Sequence, residues 1–354
     1  NLSGVNLANS NLQGAQFNAQ TIFSDGTLGA NLSGTNAVIG SLNGQVDLRG
    51  VNLDSVNLSG SGLAQAQFSN TTVFSDGNGN GVNLSGTGAM ISTLSGQIDL
   101  RGVNLSGVNL VGSTLDQAQF NAQTIFSDGF NGVNLSGTNA NLSNIDFSTV
   151  GGGFGQGVDF RSVNLSGVNL SNSNLQGAQF NAQTIFSDGT FGANLSGTNA
   201  VIGSLNGQVD LRGVNLDSVD LSGSGLAQAQ FSNTTVFSDG NGNGVNLSGT
   251  GAMLSTLSGQ VDLRGVNLSG VSLVGSTLDQ AQFNAQTIFS NGTSGANLSG
   301  TNANLSNIDF STVGGGFGQG VDFRNVNLSG VNLSNSNLHG AQFNAQTIFS
   351  DGTL

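Results

Sequence analysis

The sequence predicts an all-β solenoid, and three observations carry that expectation. The first is a period of five. In Val46-Asp47-Leu48-Arg49-Gly50-Val51-Asn52-Leu53-Asp54-Ser55-Val56-Asn57-Leu58-Ser59-Gly60 a Leu stands at 48, 53 and 58, and Leu63 and Phe68 continue the series. Neither the helical period of about 3.6 nor the strand period of about 2 fits it. A fixed short period marks stacked coils instead. The second observation is the pairing of large with small. Val46, Val51, Val56, Ser61 and Ala66 each stand two places before a Leu or Phe, as a narrow tube would require. The third is punctuation: 57 Gly and no Pro. Corners every few residues need positive-φ conformations, which Gly and Asn supply. Coil-to-coil hydrogen bonds need the N–H groups that Pro lacks.

Val46-Asp47-Leu48-Arg49-Gly50, Val103-Asn104-Leu105-Ser106-Gly107 and Ala30-Asn31-Leu32-Ser33-Gly34 share one plan. A small residue is followed by Asp or Asn, then Leu, a polar residue and Gly. In this the chain resembles the pentapeptide-repeat family, and the match runs over nearly its whole length. The resemblance implies a right-handed quadrilateral β-helix, in which each pentapeptide makes one side and four sides make one coil. The large and the small residue of each pentapeptide would fill the tube, and the other three would face water.

Taken in order, residues 1–51 begin with four regular pentamers, 1–20. A looped side follows at 21–30, a regular one at 31–35, a second looped side at 36–46 and a closing side at 47–51. That reading gives eight sides, hence two coils. Residues 52–103 repeat the plan with one more residue, and 104–163 add a Gly-rich insertion at 149–158 that returns at 312–321. The three together form a super-repeat, 1–163, copied at 164–326 and begun again at 327–354. The two full copies differ at eleven positions, among them Ala8 against Ser171, Asp128 against Asn291 and Ile98 against Val261, which indicates recent tandem duplication. The expectation is a single continuous solenoid over 1–354, a window on a longer tandem array. At two coils per unit it would hold about thirteen coils and span about 60–65 Å at the strand spacing.

Two series of Phe recur: Phe17, Phe68, Phe120, Phe180, Phe231, Phe283 and Phe343, and six residues later Phe23, Phe74, Phe126, Phe186, Phe237, Phe289 and Phe349. The step of six implies a one-residue bulge at that corner, and both series are expected in the core.

The composition leaves little room for catalysis. There is no Cys, Trp or Tyr, every acid is Asp and every base is Arg, and the net charge is −13. The one His, His339, has Gln13 and Gln176 as counterparts, so it is not expected to be a catalytic base. No catalytic set, cofactor site or enzymatic activity is expected. Zero Cys removes disulfides and thiolate metal sites. No apolar run approaches the roughly 18 residues of a membrane span. Asp76-Gly77-Asn78-Gly79-Asn80-Gly81 and its copy from Asp239 place Asp76, Asn78, Asn80, Asp239, Asn241 and Asn243 at calcium-loop spacing. Position twelve is Thr87 rather than an acid, so a Gly/Asn turn is the preferred reading. The Gly-rich segment 151–159 lacks the Asp that a calcium nonapeptide needs at its sixth place. Arg49, Arg101, Arg161, Arg212, Arg264 and Arg324 each follow an Asp by two residues. They are expected to form a one-faced ladder of about 10 Å spacing that balances those Asp, or to meet a neighbouring rod or glycan. Six isolated Arg are no nucleic-acid stripe.

The function expected first is structural: an extracellular or cell-surface rod that self-associates into fibres. It rests on the repeated copies and on a surface of Asn, Ser, Gly, Thr and Gln able to form amide ladders. The alternative is an acidic binding rod, a DNA mimic or an adhesin stalk, that presents a surface to a protein or glycan. The resemblance implies such a role, since some family members are acidic rods that mimic DNA and bind gyrase. An ice-binding face would need flat Thr rows, whereas Thr21 and Thr35 fall at corners and loops.

Overall fold

A Leu at the centre of each pentamer points into the tube, and the next three residues turn the corner. The computed structural model describes residues 1–354 except 19, 36, 41, 43, 78–80, 129, 137, 146, 148–157, 177, 182, 199, 204, 206–207, 241–243, 309, 312–319 and 351–354. The described residues form two compact units, Asn1–Ile185 and Phe186–Leu354. In each, parallel bridges join one coil to the next. In the first unit Asn31 pairs with Asn52, Val38 with Asn57 and Asp47 with Gln67. The Gly62 N–H donates to the Leu42 carbonyl at 2.6 Å. Sides at 52, 57, 62 and 67 therefore stack on sides at 31, 38, 42 and 47, and a coil closes after four sides. The second unit repeats this with Asn194 on Asn215, Val201 on Asp220 and Asp210 on Gln230. Between two corners a side has room for one bridge, so the described residues contain single bridges, with no extended strand and no α-helix.

The corner explains the Asn or Asp before each Leu. Asn31 Oδ1 accepts the N–H of Ser33 at 3.1 Å, Asn57 that of Ser59 at 3.0 Å and Asp47 that of Arg49 at 3.0 Å. Each is an Asx turn, a side-chain oxygen standing in for a backbone carbonyl. The residue after it takes positive φ, 70° at Gly50 and 82° at Gly60, and Ser55 does so at 64°.

Leu48, Leu53 and Leu58 and the small residues before them are buried. Fully burying each Leu is worth about 1.5–3 kcal/mol. The Phe series meet across the bulged corner, with ring centroids 5.7 Å apart for Phe17 and Phe23 and 5.9 Å for Phe68 and Phe74. Phe126 also packs, tilted, against Phe160 of the following coil, with centroids 5.3 Å apart. Phe343 and Phe349, expected in the core, are 41% and 59% exposed.

One element departs from the sequence reading. Residues 36–46, expected as one looped side, supply two. Ile39 donates to Asn57 O at 2.7 Å while Leu42 meets the next side at Gly62, and both side chains are buried. Ile91 and Leu94, Ile202 and Leu205, and Leu254 and Leu257 are buried in the same relation. Each sub-repeat thus has nine sides rather than eight, two coils and a quarter, so the pattern returns one side further round.

The bridges show that turn directly. Asn31, the first side after the loop at 24–29, shares a column through Asn52 with Val73, the last side before the next loop. Asn83, just past that loop, shares a column through Asn104 with Ile125, just before the third. In the second unit Asn194, Asn215 and Val236, and then Asn246, Asn267 and Ile288, do the same. Within each unit successive loops stand at successive corners, with an axial step of about 11 Å at the strand spacing.

Candidate functional site: the corner loops

Each loop opens on Ser followed by Asp or Asn, and in the four short loops that second residue builds the loop. Asp25 Oδ1 accepts the N–H groups of Thr27 and Leu28, both at 2.8 Å, and Ser24 pairs antiparallel with Gly29. Asp128 does the same for Phe130 and Asn131, at 2.9 and 2.7 Å. Asp188 serves Thr190 and Phe191, and Asn291 serves Thr293 and Ser294. The N–H donated from Leu28, then that from Thr27, holds the Asp25 carboxyl below its ordinary range. Asp128 is lowered chiefly by Asn131 and Asp188 chiefly by Phe191. A loop pinned in this way presents a fixed tip. Leu28 is 62% exposed, Phe130 88% and Phe191 56%.

The arginines hold the base of these loops. Arg49 grips Asp47 through Nε at 3.0 Å and Nη2 at 2.7 Å, and the other five Arg repeat the fork on their own Asp. The fork from Arg49 is the main cause that lowers the Asp47 carboxyl. A Cβ on Gly26 would lie 2.6 Å from Arg49 Nη2, and Gly77, Gly189, Gly240 and Gly292 lie against Arg101, Arg212, Arg264 and Arg324 in the same way. Gly therefore follows the loop Asp because a guanidinium occupies the space that a side chain would take. The one-faced ladder is not formed. Asp47 lies two sides before Asn57 and Asp99 one side before Asn104, yet Asn57, Asn83 and Asn104 share a column. Each Asp–Arg pair in a unit is thus a quarter turn from the one before, and the nine-side sub-repeat is the cause.

Two loops are longer, those following Phe74 and Phe237. Their opening Asp76 and Asp239 N–H groups donate to Asp54 and Asp217 Oδ1, at 2.9 Å each. In the shorter loops the equivalent N–H turns back on the loop itself, as Asp25 does to Leu28 O at 3.4 Å. There Ser3, Ser106, Ser166 and Ser269 replace the buried Asp, and their hydroxyls are buried without a hydrogen-bond partner. Asp54 and Asp217, buried acids under the long loops, were not singled out in the sequence. The signal was an Asp where the sister repeats carry Ser. Of the calcium-spaced residues, Asn78, Asn80, Asn241 and Asn243 lie outside the described residues, as do 149–157 and 312–319. Among the described residues no three acids or His converge on a metal position, and no helix is long and apolar enough to cross a membrane.

The family model of pentapeptide repeats matches residues 97–122, 156–182 and 319–345 with eight copies. Over those residues the chain is built of pentapeptide repeats. Pentapeptide-repeat proteins fold as right-handed quadrilateral β-helices and are in general non-enzymatic rods. No curated protein matches this one significantly. Among solved structures it is similar to HetL, a pentapeptide-repeat protein involved in heterocyst differentiation regulation in Nostoc sp. strain PCC 7120. That match has 18% identity, covers 88% of this chain and 92% of the other, and has a TM-score of 0.16. It is similar to a trypsin-treated form of QnrB1, a plasmid-mediated fluoroquinolone resistance protein, at 19% identity, 70% and 91% coverage and a TM-score of 0.18. It is similar also to Rfr23 of the cyanobacterium Cyanothece 51142, at 20% identity, 71% and 90% coverage and a TM-score of 0.10. At TM-scores this low the likenesses carry no argument, and the family rests on the repeat itself.

Proposed function

We propose that this chain is a non-catalytic binding rod that displays its corner loops to a protein partner. The observation that carries the reading is the quarter-turn placement of successive loops within each unit, with three of the four short loops pinned by Asp and tipped by exposed Leu28, Phe130 and Phe191. Lateral fibre assembly through looped sides needs the loops in register on one face, and nine-side sub-repeats place them on successive corners instead. DNA mimicry needs free carboxylates in rows. Here six of nineteen Asp are forked by Arg, and Asp54 and Asp217 are buried. An extracellular or cell-surface setting belongs to the same proposal, since a surface without Lys gives proteases few basic cleavage points. Sedimentation across a hundredfold concentration range, with electron microscopy of the same samples, tests it. A monodisperse monomer is expected. Long fibres would restore the structural-filament reading and displace this one.

A further inference from the structure

We infer that the tips of the short corner loops are the specificity-determining contacts of this rod, and that each takes a protein carrying an apolar socket rimmed by Lys or Arg. The inference rests on the binding-rod reading and adds to it the residues and the chemistry of the partner. Three observations carry it. First, Phe130, Phe191 and Leu28 are large apolar side chains held out into water by loops closed on Asp128, Asp188 and Asp25. A rigid, exposed aromatic on a polar surface is the form of an interface anchor, because little order remains to be lost on binding. Second, the two super-repeat copies differ where these loops are. Four of the eleven differences fall in the twelve positions 24–29 and 127–132: Leu28 against Phe191, Asp128 against Asn291, Phe130 against Thr293 and Asn131 against Ser294. A uniform scatter of eleven over 163 positions would put about one there. The plain sides, with many more outward positions, also carry four differences, Ala8 against Ser171, Asn57 against Asp220, Asn109 against Ser272 and Ser162 against Asn325, so the short loops have changed more per position. Third, each apolar tip sits beside an ionised Asp in a chain of net charge −13, so the complementary socket has a cationic rim. A second copy of this chain is a poor match on that ground. Leu28 and Phe130 stand two steps apart in their unit, at opposite corners, so one flat partner cannot cover both, and each tip takes its own.

The test uses the full chain. A displayed library of random twelve-residue peptides is selected on wild type and counter-selected on the triple variant Leu28→Thr, Phe130→Thr, Phe191→Thr. Thr at the tip already occurs in the loop at 290–295, so the variant keeps its fold, which a matching thermal melt confirms. Selected peptides rich in Lys or Arg and apolar residues, binding wild type at least tenfold more tightly than the triple variant, are expected. Asn291→Asp, Thr293→Phe, Ser294→Asn should add one binding site by calorimetric stoichiometry. Peptides that bind both proteins equally would overturn the inference while leaving the binding rod standing, with a plain side as its surface. Failure to enrich any peptide would overturn it as well. So would concentration-dependent self-association, or adsorption to phosphatidylcholine vesicles, that the triple variant abolishes. Fibres in place of a monomer would overturn the binding rod itself.

Discussion

Asp54 and Ser106 hold the same place in the pentamer and meet different demands. The Asp54 carboxylate satisfies the Asp76 N–H, and the Ser106 hydroxyl satisfies nothing. Asp54→Ser should therefore cost about 1–2 kcal/mol, the loss of a charge-assisted bond to a part-buried N–H. Ser106→Ala should be neutral within about 0.5 kcal/mol or slightly stabilising, since it removes a buried group that makes no bond. Denaturant midpoints, with exchange of the Asp76 amide, measure both. The Asp47–Arg49 fork contributes to the acid limit. Asp47 titrates below its ordinary value of 3.8 because Arg49 forks it, so its folded value lies under its unfolded one. The stabilisation is complete above the unfolded value and is lost as pH falls through the folded one. The melting temperature should be level above about pH 5 and decline below about pH 4. Arg49→Gln should flatten that decline, and thermal melts across pH would show an unchanged slope if the fork is irrelevant.

A side is the smallest element here, and most sides were legible because hydrophobic burial leaves a period of five. The exception is instructive. Leu42 follows Ile39 by three residues, so a frame of five counts them as one side although each fills its own column. Leu42→Ala should cost about 2–5 kcal/mol, as other buried Leu truncations do. Loss of amide protection confined to the sides around 42 and 62 would confirm a side in its own right, whereas an effect below about 0.5 kcal/mol would mark it as loop. The candidate site was legible only in outline. Leu28, Phe130 and Phe191 are apolar residues that fit no pentamer frame, and that misfit was their signal. Their exposure was hidden because an apolar residue in a loop can equally fold back. The Asx turn that prevents it depends on a hydrogen-bond partner three residues away. The arginine ladder failed for a related reason: one uncounted side per sub-repeat is invisible locally and turns each later pair to a new face.

At the scale of the molecule, charge and repeat number remain. The sequence isoelectric point is about 4.1. Carboxylates such as Asp25, Asp47, Asp128 and Asp188 stay ionised to lower pH than free ones. The folded chain should thus keep its negative charge further into acid, and its solubility minimum should lie below that value. Light scattering against pH would show a minimum at or above 4.1 if the lowered carboxylates do not matter. The nine-side sub-repeat also turns copy number into an angular coordinate. Because nine exceeds two full coils by one side, excising residues 52–103 would leave a sound solenoid. It would also swing the loop at 127–132 through ninety degrees relative to the loop at 24–29. Unequal recombination, the ordinary fate of tandem arrays, would therefore re-aim every downstream contact without changing one side chain. Only the gain or loss of four sub-repeats would bring the compass back to its starting point.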